Sequence, residues 1–397
     1  MVFEKEVDHA VLEVVNEIAD NMSNKITTCA IFLDLEKAFN TVNHSILLKK
    51  LEKYGVRGLP LKLMESYLIE RKQVTKIGNC ISEELNINTG VPQGSCLGPL
   101  LFVIYVNDLH LSTKFNVTLF ADDACLSLSN ENIHDLETET NNELQNVNSW
   151  LHKNKLFLNH NKTNYLVFSK KKTKFKFNIY INKHLLQEKT NIKYLGITID
   201  NKLLWNKHLE NLKTSLSKAC YALWKLKPYA DLTVLKSVYY SLFYSKLQYC
   251  VTSWGGCPGT NLEPIFRLQK RALRIMCSKP YTAPSNPLFV DMKMLKLNDI
   301  YRLNVCAVVR KFVEGTLIGD IELMNLNNKH NYPTRLRNNN NFYPQFPRTN
   351  LGKATFNYIG PKYWEDVPGN IKTTPTKLFK KHYKNFLINL YSAEQDS

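Results

Sequence analysis

The sequence predicts an α/β body followed by a basic helical module. Three observations carry this reading. Short apolar runs alternate with helical patterns through the first half, as expected of a sheet with packed helices. The stretch Phe120-Ala121-Asp122-Asp123 sets two adjacent carboxylates between two runs of strand-forming residues, Asn116–Leu119 and Ala124–Ser129, the pattern of a β-hairpin with acids at its turn. The charge also changes sign along the chain. Residues 1–150 hold 12 Lys and Arg against 21 Asp and Glu, or −9, whereas residues 151–397 hold 40 against 14, or +26.

The elements follow in order. Val11, Leu12, Val15, Ile18 and Ala19 recur at helical spacing and predict a helix over 9–22. Thr27–Leu33 is a short apolar run ending at Asp34, a buried strand. Residues 36–54 are expected to be helical and closed by Gly55, and Pro60 opens a further helix through Ile69. Val74–Gly78 and Leu85–Thr89 are expected strands. Gly90–Gly98 is a loop leading into the helix Leu100–Val106. Beyond the hairpin, Ile133–Leu158 is expected to be helical, Tyr165–Ser169 and Lys176–Ile181 to be strands, and Tyr194–Ile199 to be one strand carrying a glycine. From about residue 201 helices dominate, over 207–227, 232–249 and 262–277. An Asn- and Pro-rich loop, 326–350, with Asn338–Asn341 in a row, precedes a small C-terminal segment.

Composition excludes several classes. A hydrophobic content of 44% with 22% charged residues describes a folded globular chain of 397 residues, long enough for more than one domain. No apolar run reaches the roughly 18 residues a membrane helix needs, and the acidic start (Glu4, Glu6, Asp8) is unlike a signal peptide. The nine cysteines are scattered without a CxxC pair, which suits reduced thiols in an intracellular protein, nucleus and cytoplasm being undistinguished. Nothing points to an oligomer. The net charge of +17, gathered in the second part, points to a nucleic-acid partner.

Two adjacent carboxylates on an apolar hairpin repel each other unless a cation neutralises them, and magnesium favours carboxylate oxygens. An ordinary solvated acidic turn would read the same. Asp34, at the C-terminal end of a strand, can face a cleft or cap the segment starting at Leu35. The Asn88–Phe102 stretch holds Gly90, Gly94 and Gly98 around Gln93; the glycines allow close backbone approach to a ligand, and Gln93 offers donors and an acceptor for a sugar or base edge. A plain turn-rich connection is the alternative. In Arg267–Ile275, the cations Arg267, Lys270, Arg271 and Arg274 share one helix face, with Leu268, Ala272 and Ile275 on another. Lysines 207, 213, 218, 225 and 227 decorate an earlier helix. The Lys170–Lys176 run is expected to be a solvated turn.

In order and spacing these segments resemble the palm of a reverse transcriptase of the non-LTR (LINE, jockey-like) retrotransposon family. Phe32–Phe39 is similar to the first palm motif, Gly90–Phe102 to the second, Phe120–Asp123 to the polymerase signature. Asn161-Lys162-Thr163 is similar to the fourth motif and Tyr194-Leu195-Gly196 to the primer grip. The resemblance spans roughly residues 9–280 and implies a right-hand polymerase. The implied parts are a fingers-helix remnant (1–25), an antiparallel palm with packed helices (26–200), a basic helical thumb (201–325) and a C-terminal extension (326–397).

It also implies roles. Asp34, Asp122 and Asp123, with the carbonyl of Leu35, would hold two Mg²⁺ ions, or Mn²⁺ in their place, and catalyse attack of a primer 3′-hydroxyl on a dNTP. Phe39 would stack under the sugar and exclude a 2′-hydroxyl; from spacing alone it is equally a core aromatic. Gln93 and Gly94 would line the nucleotide and template, and Lys162 would stand near the triphosphate, though a surface lysine reads the same. Tyr194, Leu195, Gly196 and the 267–274 cations would contact an RNA template and DNA primer. Family members begin well upstream, with an endonuclease and basic fingers. The chain is therefore expected to be truncated at its N-terminus and weak or inactive alone. Asn40 stands where the family often has an acid. Two readings result: an RNA-directed DNA polymerase domain, or a catalytically dead, domesticated nucleic-acid-binding remnant. An RNA-dependent RNA polymerase is disfavoured by Phe39 and by Ala-Asp-Asp in place of Gly-Asp-Asp.

Overall fold

A computed structural model of the chain describes residues 6–170, 175–317, 319, 323, 342–344 and 347–393. The Asn338–Asn341 run, most of the 326–350 loop and the centre of the Lys170–Lys176 run lie outside them. Two compact units emerge: Lys25–Thr190, and Glu6–Asn24 together with the chain from Asn191 onward.

The first unit is built on a five-stranded sheet. Its central strand, Thr27–Asp34, pairs antiparallel with Asp123–Asn130 on one side and with Asn164–Phe168 on the other. Asn116–Phe120 adds to the outer side of Asp123–Asn130, and the short Gln187–Glu188 strand pairs parallel at the opposite edge. Seven of the eight central residues are buried, as a continuous β-branched and apolar run requires. Cys29, Ile31 and Leu33 alternate onto the face that meets Phe102 and Tyr105 of helix Leu97–Val106, and Leu144, Val147 and Trp150 of helix Ile133–Lys153.

Several expected boundaries move for local reasons. The helix expected over 36–54 is split. Lys37 takes a left-handed φ of 47°, Ala38–Asn40 forms a 3₁₀ turn, and the true helix runs His44–Lys53, where the Asn43 side chain accepts the Ile46 N–H at 3.1 Å. Helix Ile133–Lys153 stops short of 158 because the Asn154 side chain donates back to the Trp150 carbonyl at 2.8 Å and Lys155 turns left-handed at φ 53°. Val74–Gly78 is not one strand: Arg71–Gln73 pairs with Leu85–Ile87, and Lys76–Ile77 pairs with Cys80–Ile81. Of Lys176–Ile181, only Tyr180–Ile181 is a strand, paired with His184–Leu185.

Among the described residues the second unit is mainly helical, with one hairpin. Tyr194–Ile199, expected as one strand, is a turn flanked by Asn191–Tyr194 and Ile197–Asp200, with Leu195 and Gly196 at φ 43° and 81° in the bend. Helix Asn206–Leu226 buries Leu209, Leu212, Leu216, Ala219, Cys220 and Leu223 against helix Gly259–Met276. The latter buries Leu262, Ile265, Gln269, Ala272, Leu273 and Met276. Of the expected apolar positions only Ala272 lies on that stripe, while Leu268 and Ile275 are half-buried flanks. The helix expected over 232–249 is interrupted by a π-helical stretch, Tyr239–Tyr244.

Helix Val7–Ser23 belongs to this unit by contact. Asp8 accepts the Cys250 N–H at 3.0 Å, Asn16 accepts that of Phe356 at 2.8 Å, and Lys311 pairs with Glu6 at 2.6 Å. The segment expected as a C-terminal extension is also part of it. Helices Phe356–Glu365 and Thr376–Ala393 carry Trp364, Phe379 and Tyr383, all fully buried. All nine cysteines are free thiols, and no described helix is long and apolar enough to cross a membrane.

Candidate active site

Strand register brings the acids together. Asp34 and Asp123 are directly opposite each other at the last rung between their strands, and Phe120 pairs with Asp123 across the outer hairpin. Side chains directly opposite in an antiparallel pair share a face, with Cβ atoms roughly 4.5–5.5 Å apart. Asp122 occupies the two-residue turn beside them, after Ala121 at φ 51°. A left-handed alanine costs about 1–2 kcal/mol, so this turn holds its shape against strain.

Asp34 is fixed by the turn that follows helix Ile133–Lys153. Its N–H donates to the Thr163 hydroxyl at 3.3 Å, and its carbonyl accepts from the Asn159 N–H at 2.9 Å. Leu35 bridges to Leu158. The bonds flanking that bridge belong to Glu36, Phe157, Asn159 and Asp34, so the bridge leaves the Leu35 carbonyl unused. The same turn carries Lys162, whose ammonium lies 3.8 Å from the Asp34 carboxylate; at 69% and 38% side-chain exposure the pair is a loose one. Sequence reading missed Thr163 and Asn159 as partners of Asp34. The turn-forming Asn159-His160-Asn161 run was the available signal.

The electrostatics agree with this geometry. The Asp123 carboxyl is pushed above the usual carboxylate range, first by partial burial and then by the negative Asp122 and Asp34. The donors are all carboxylate oxygens, the set that hard divalent cations prefer, so the residues present fit such a cation. Among the described residues, however, no three Asp, Glu, His or Cys side chains stand close enough to enclose a metal as they are.

Within the same unit, two further segments join into one wall. Gly90 N–H donates to the Val42 carbonyl at 2.7 Å, Val91 N–H to that of Phe39 at 2.8 Å, and His44 Nε2 lies 2.7 Å from the Gly90 carbonyl. The Phe39 ring packs 4.8 Å from Phe102 and is half-buried. It is therefore both a core aromatic and a surface one. Gln93 is exposed, its amide 3.4 Å from the Asn40 side chain. The glycines act differently from expectation. A Cβ on Gly90 would meet the Asn40 backbone at 2.9 Å and one on Gly98 the Pro92 carbonyl at 2.3 Å, so their close approach is to the chain itself. Gly94 alone of the three faces open space.

The remaining expected residues lie in the second unit. Tyr194 is buried, and Leu195-Gly196 forms the hairpin bend, where the Tyr249 hydroxyl donates to the Leu195 carbonyl at 2.8 Å. The four cations of helix Gly259–Met276 are not equivalent. Arg267 and Lys270 share Glu263, at 3.1 and 3.9 Å, and Arg274 donates to the Ala283 carbonyl at 2.8 Å. Arg271 is exposed.

Residues 4–199 match the family described as "Reverse transcriptase (RNA-dependent DNA polymerase)". The chain is 26% identical over 294 residues to the probable RNA-directed DNA polymerase from transposon X-element of Drosophila melanogaster, covering 72% of this chain and 32% of that protein. It is 27% identical over 297 residues to the RNA-directed DNA polymerase from mobile element jockey of the same species, with the same coverages. The chain thus spans 32% of the length of these curated relatives. A telomerase from Candida albicans, solved with the TWJ fragment of telomeric RNA, aligns at 13% identity and a TM-score of 0.35 over 79% of this chain and 52% of its own, too low a score to establish a common fold. The family uses divalent metals and reads a nucleic-acid template. On this match and these similarities, residues 4–199 form a reverse transcriptase domain, similar to those of jockey-like, non-LTR retrotransposons.

Proposed function

We propose that this chain catalyses RNA-directed DNA synthesis, joining a dNTP to a primer 3′-hydroxyl at Asp34, Asp122 and Asp123. The observation that carries it is the register that sets Asp34 opposite Asp123 with Asp122 in the adjoining turn. The three carboxylates and the unused Leu35 carbonyl would hold two divalent cations, Mg²⁺ or Mn²⁺. Such ions lower the pKa of the attacking hydroxyl and stabilise the leaving phosphate oxygen.

The chain's own residues do the positioning. Thr163 and Asn159 hold the Asp34 backbone still. Phe39, backed by Phe102, would stack its ring under the sugar and crowd a 2′-hydroxyl. Gln93 and Gly94 line the template and nucleotide. Lys162, once released from Asp34, offers its ammonium proton to the departing pyrophosphate. In the second unit, the Tyr194–Gly196 bend would touch the primer strand and Arg271 its phosphates. Primer extension with an RNA template, dNTPs and Mg²⁺ tests the proposal. Extension lost in Asp122→Ala supports it; no extension, with salt-sensitive binding retained, leaves a nucleic-acid-binding remnant.

A further inference from the structure

Helix Asn206–Leu226 carries a second face that its packing does not explain. Its apolar stripe is already complete through Leu209, Leu212, Leu216, Ala219, Cys220 and Leu223. Yet Tyr221 and Trp224, three residues apart, are 59% and 54% exposed. Large aromatics left in solvent together mark an interaction surface more often than a lone apolar residue does. Their ring centroids stand 6.0 Å apart at 36°, and the Lys225 ammonium lies 5.8 and 5.1 Å from them. One turn earlier the same face presents Lys213, Thr214, Ser217 and Lys218 up to Tyr221. Its acid, Glu210, is already paired with Lys207 at 3.3 Å.

Residues 210, 214, 217, 221 and 224 form one continuous stripe, about 21 Å long at 1.5 Å per residue. Cations and hydroxyls that track phosphates, ending in aromatic faces that accept bases, are the combination single strands require. A duplex grip needs the cations alone, because its bases are stacked inside. We propose that the Lys213–Lys225 face binds unpaired RNA of the template, the bases stacking on Tyr221 and Trp224 and the phosphates lying along Lys213 and Lys218. The choice of RNA rests on the polymerase reading above; the stacking does not.

Fluorescence anisotropy with the full chain and a labelled, unstructured 12-nucleotide RNA tests it, beside the same-length DNA strand and an RNA–DNA hybrid. Tyr221→Ala with Trp224→Ala should weaken the single-stranded RNA about thirtyfold or more, at about 1–3 kcal/mol per stacked base. The hybrid should change less than about twofold and the salt slope for RNA should hold. Tyr221→Phe with Trp224→Phe should restore most binding, which excludes a folding defect. Lys218→Ala should instead flatten the salt slope. Equal losses on hybrid and single strand, no loss at all, or a preference for the DNA strand would each overturn the proposal. The Asp122→Ala protein should bind the RNA as the parent does. A chain that fails to extend primers but keeps this pattern would sink the polymerase reading and leave the strip standing.

Discussion

Asp123 faces Asp34 across a strand pair and follows Asp122 in the chain, so three negative charges crowd one sheet end. Its carboxyl is raised, which means the fold disfavours its charged form. The penalty is absent below the ordinary carboxylate range, grows as pH rises through it, and is complete above the raised value. Metal-free Asp123→Asn should therefore be more stable than the parent at pH 7 by about 0.5 kcal/mol, the size of an exposed charge interaction. The difference should vanish near pH 3, as read by thermal melting in chelator. A variant less stable at pH 7 would contradict it. Ala121 gives a second test. Ala121→Gly relieves the left-handed φ of 51° and should raise stability by about 0.5–1 kcal/mol in urea titration. At this scale the acids were legible, because two carboxylates interrupting alternating strand residues are a local pattern. Their partners Thr163 and Asn159 were not, because the Asn-rich run marks a turn there but nothing local ties that turn to a strand 129 residues away.

The continuous apolar strand Thr27–Asp34 and the alternating acid hairpin fell where the sequence put them. Errors clustered where one side chain overrides a periodic run. Asn43 caps a helix that hydrophobic spacing alone would begin at residue 36, and the break lets Phe39 and Val42 offer carbonyls to Val91 and Gly90. In the hairpin Asn191–Asp200 the glycine lies in the bend, and a continuous strand was read because both arms are β-prone. Helix His44–Lys53 also contains an element that spacing could not show. Lys50, only 11% exposed, donates to the Tyr105 carbonyl at 2.6 Å and to Asp108 at 2.7 Å, its ammonium 4.9 and 5.0 Å from the rings of Tyr105 and Trp150. Lys50→Met leaves Asp108 and a buried carbonyl unpaired and should cost about 2–3 kcal/mol of stability. Exposed Lys49→Met should cost almost nothing by the same denaturant titration. Equal costs would mean that the buried network contributes little.

For the whole molecule, the charge division is the sequence feature with the widest consequence. A balance of +26 over residues 151–397 should make the proposed nucleic-acid affinity fall steeply with salt. Geometry sorts the cations that matter. Arg271→Ala should lower the slope of log affinity against log salt by about 0.9, one phosphate contact, without changing sequence preference. Arg267→Ala, whose guanidinium already pairs with Glu263, should change it by less. Identical slopes for the two variants would show that the helix does not meet phosphate where proposed.

Asp34, Asp122 and Asp123 are proposed to hold divalent cations together. Electron paramagnetic resonance titration of the full chain with Mn²⁺ counts bound ions directly. Saturable binding is expected, abolished or weakened at least about tenfold in Asp34→Asn and in Asp122→Asn, since each removes a carboxylate ligand. Asp200→Asn, a carboxylate in the second unit, should bind as the parent does. Mn²⁺ binding unchanged in both acid-end variants, or lost equally in all three, would contradict it.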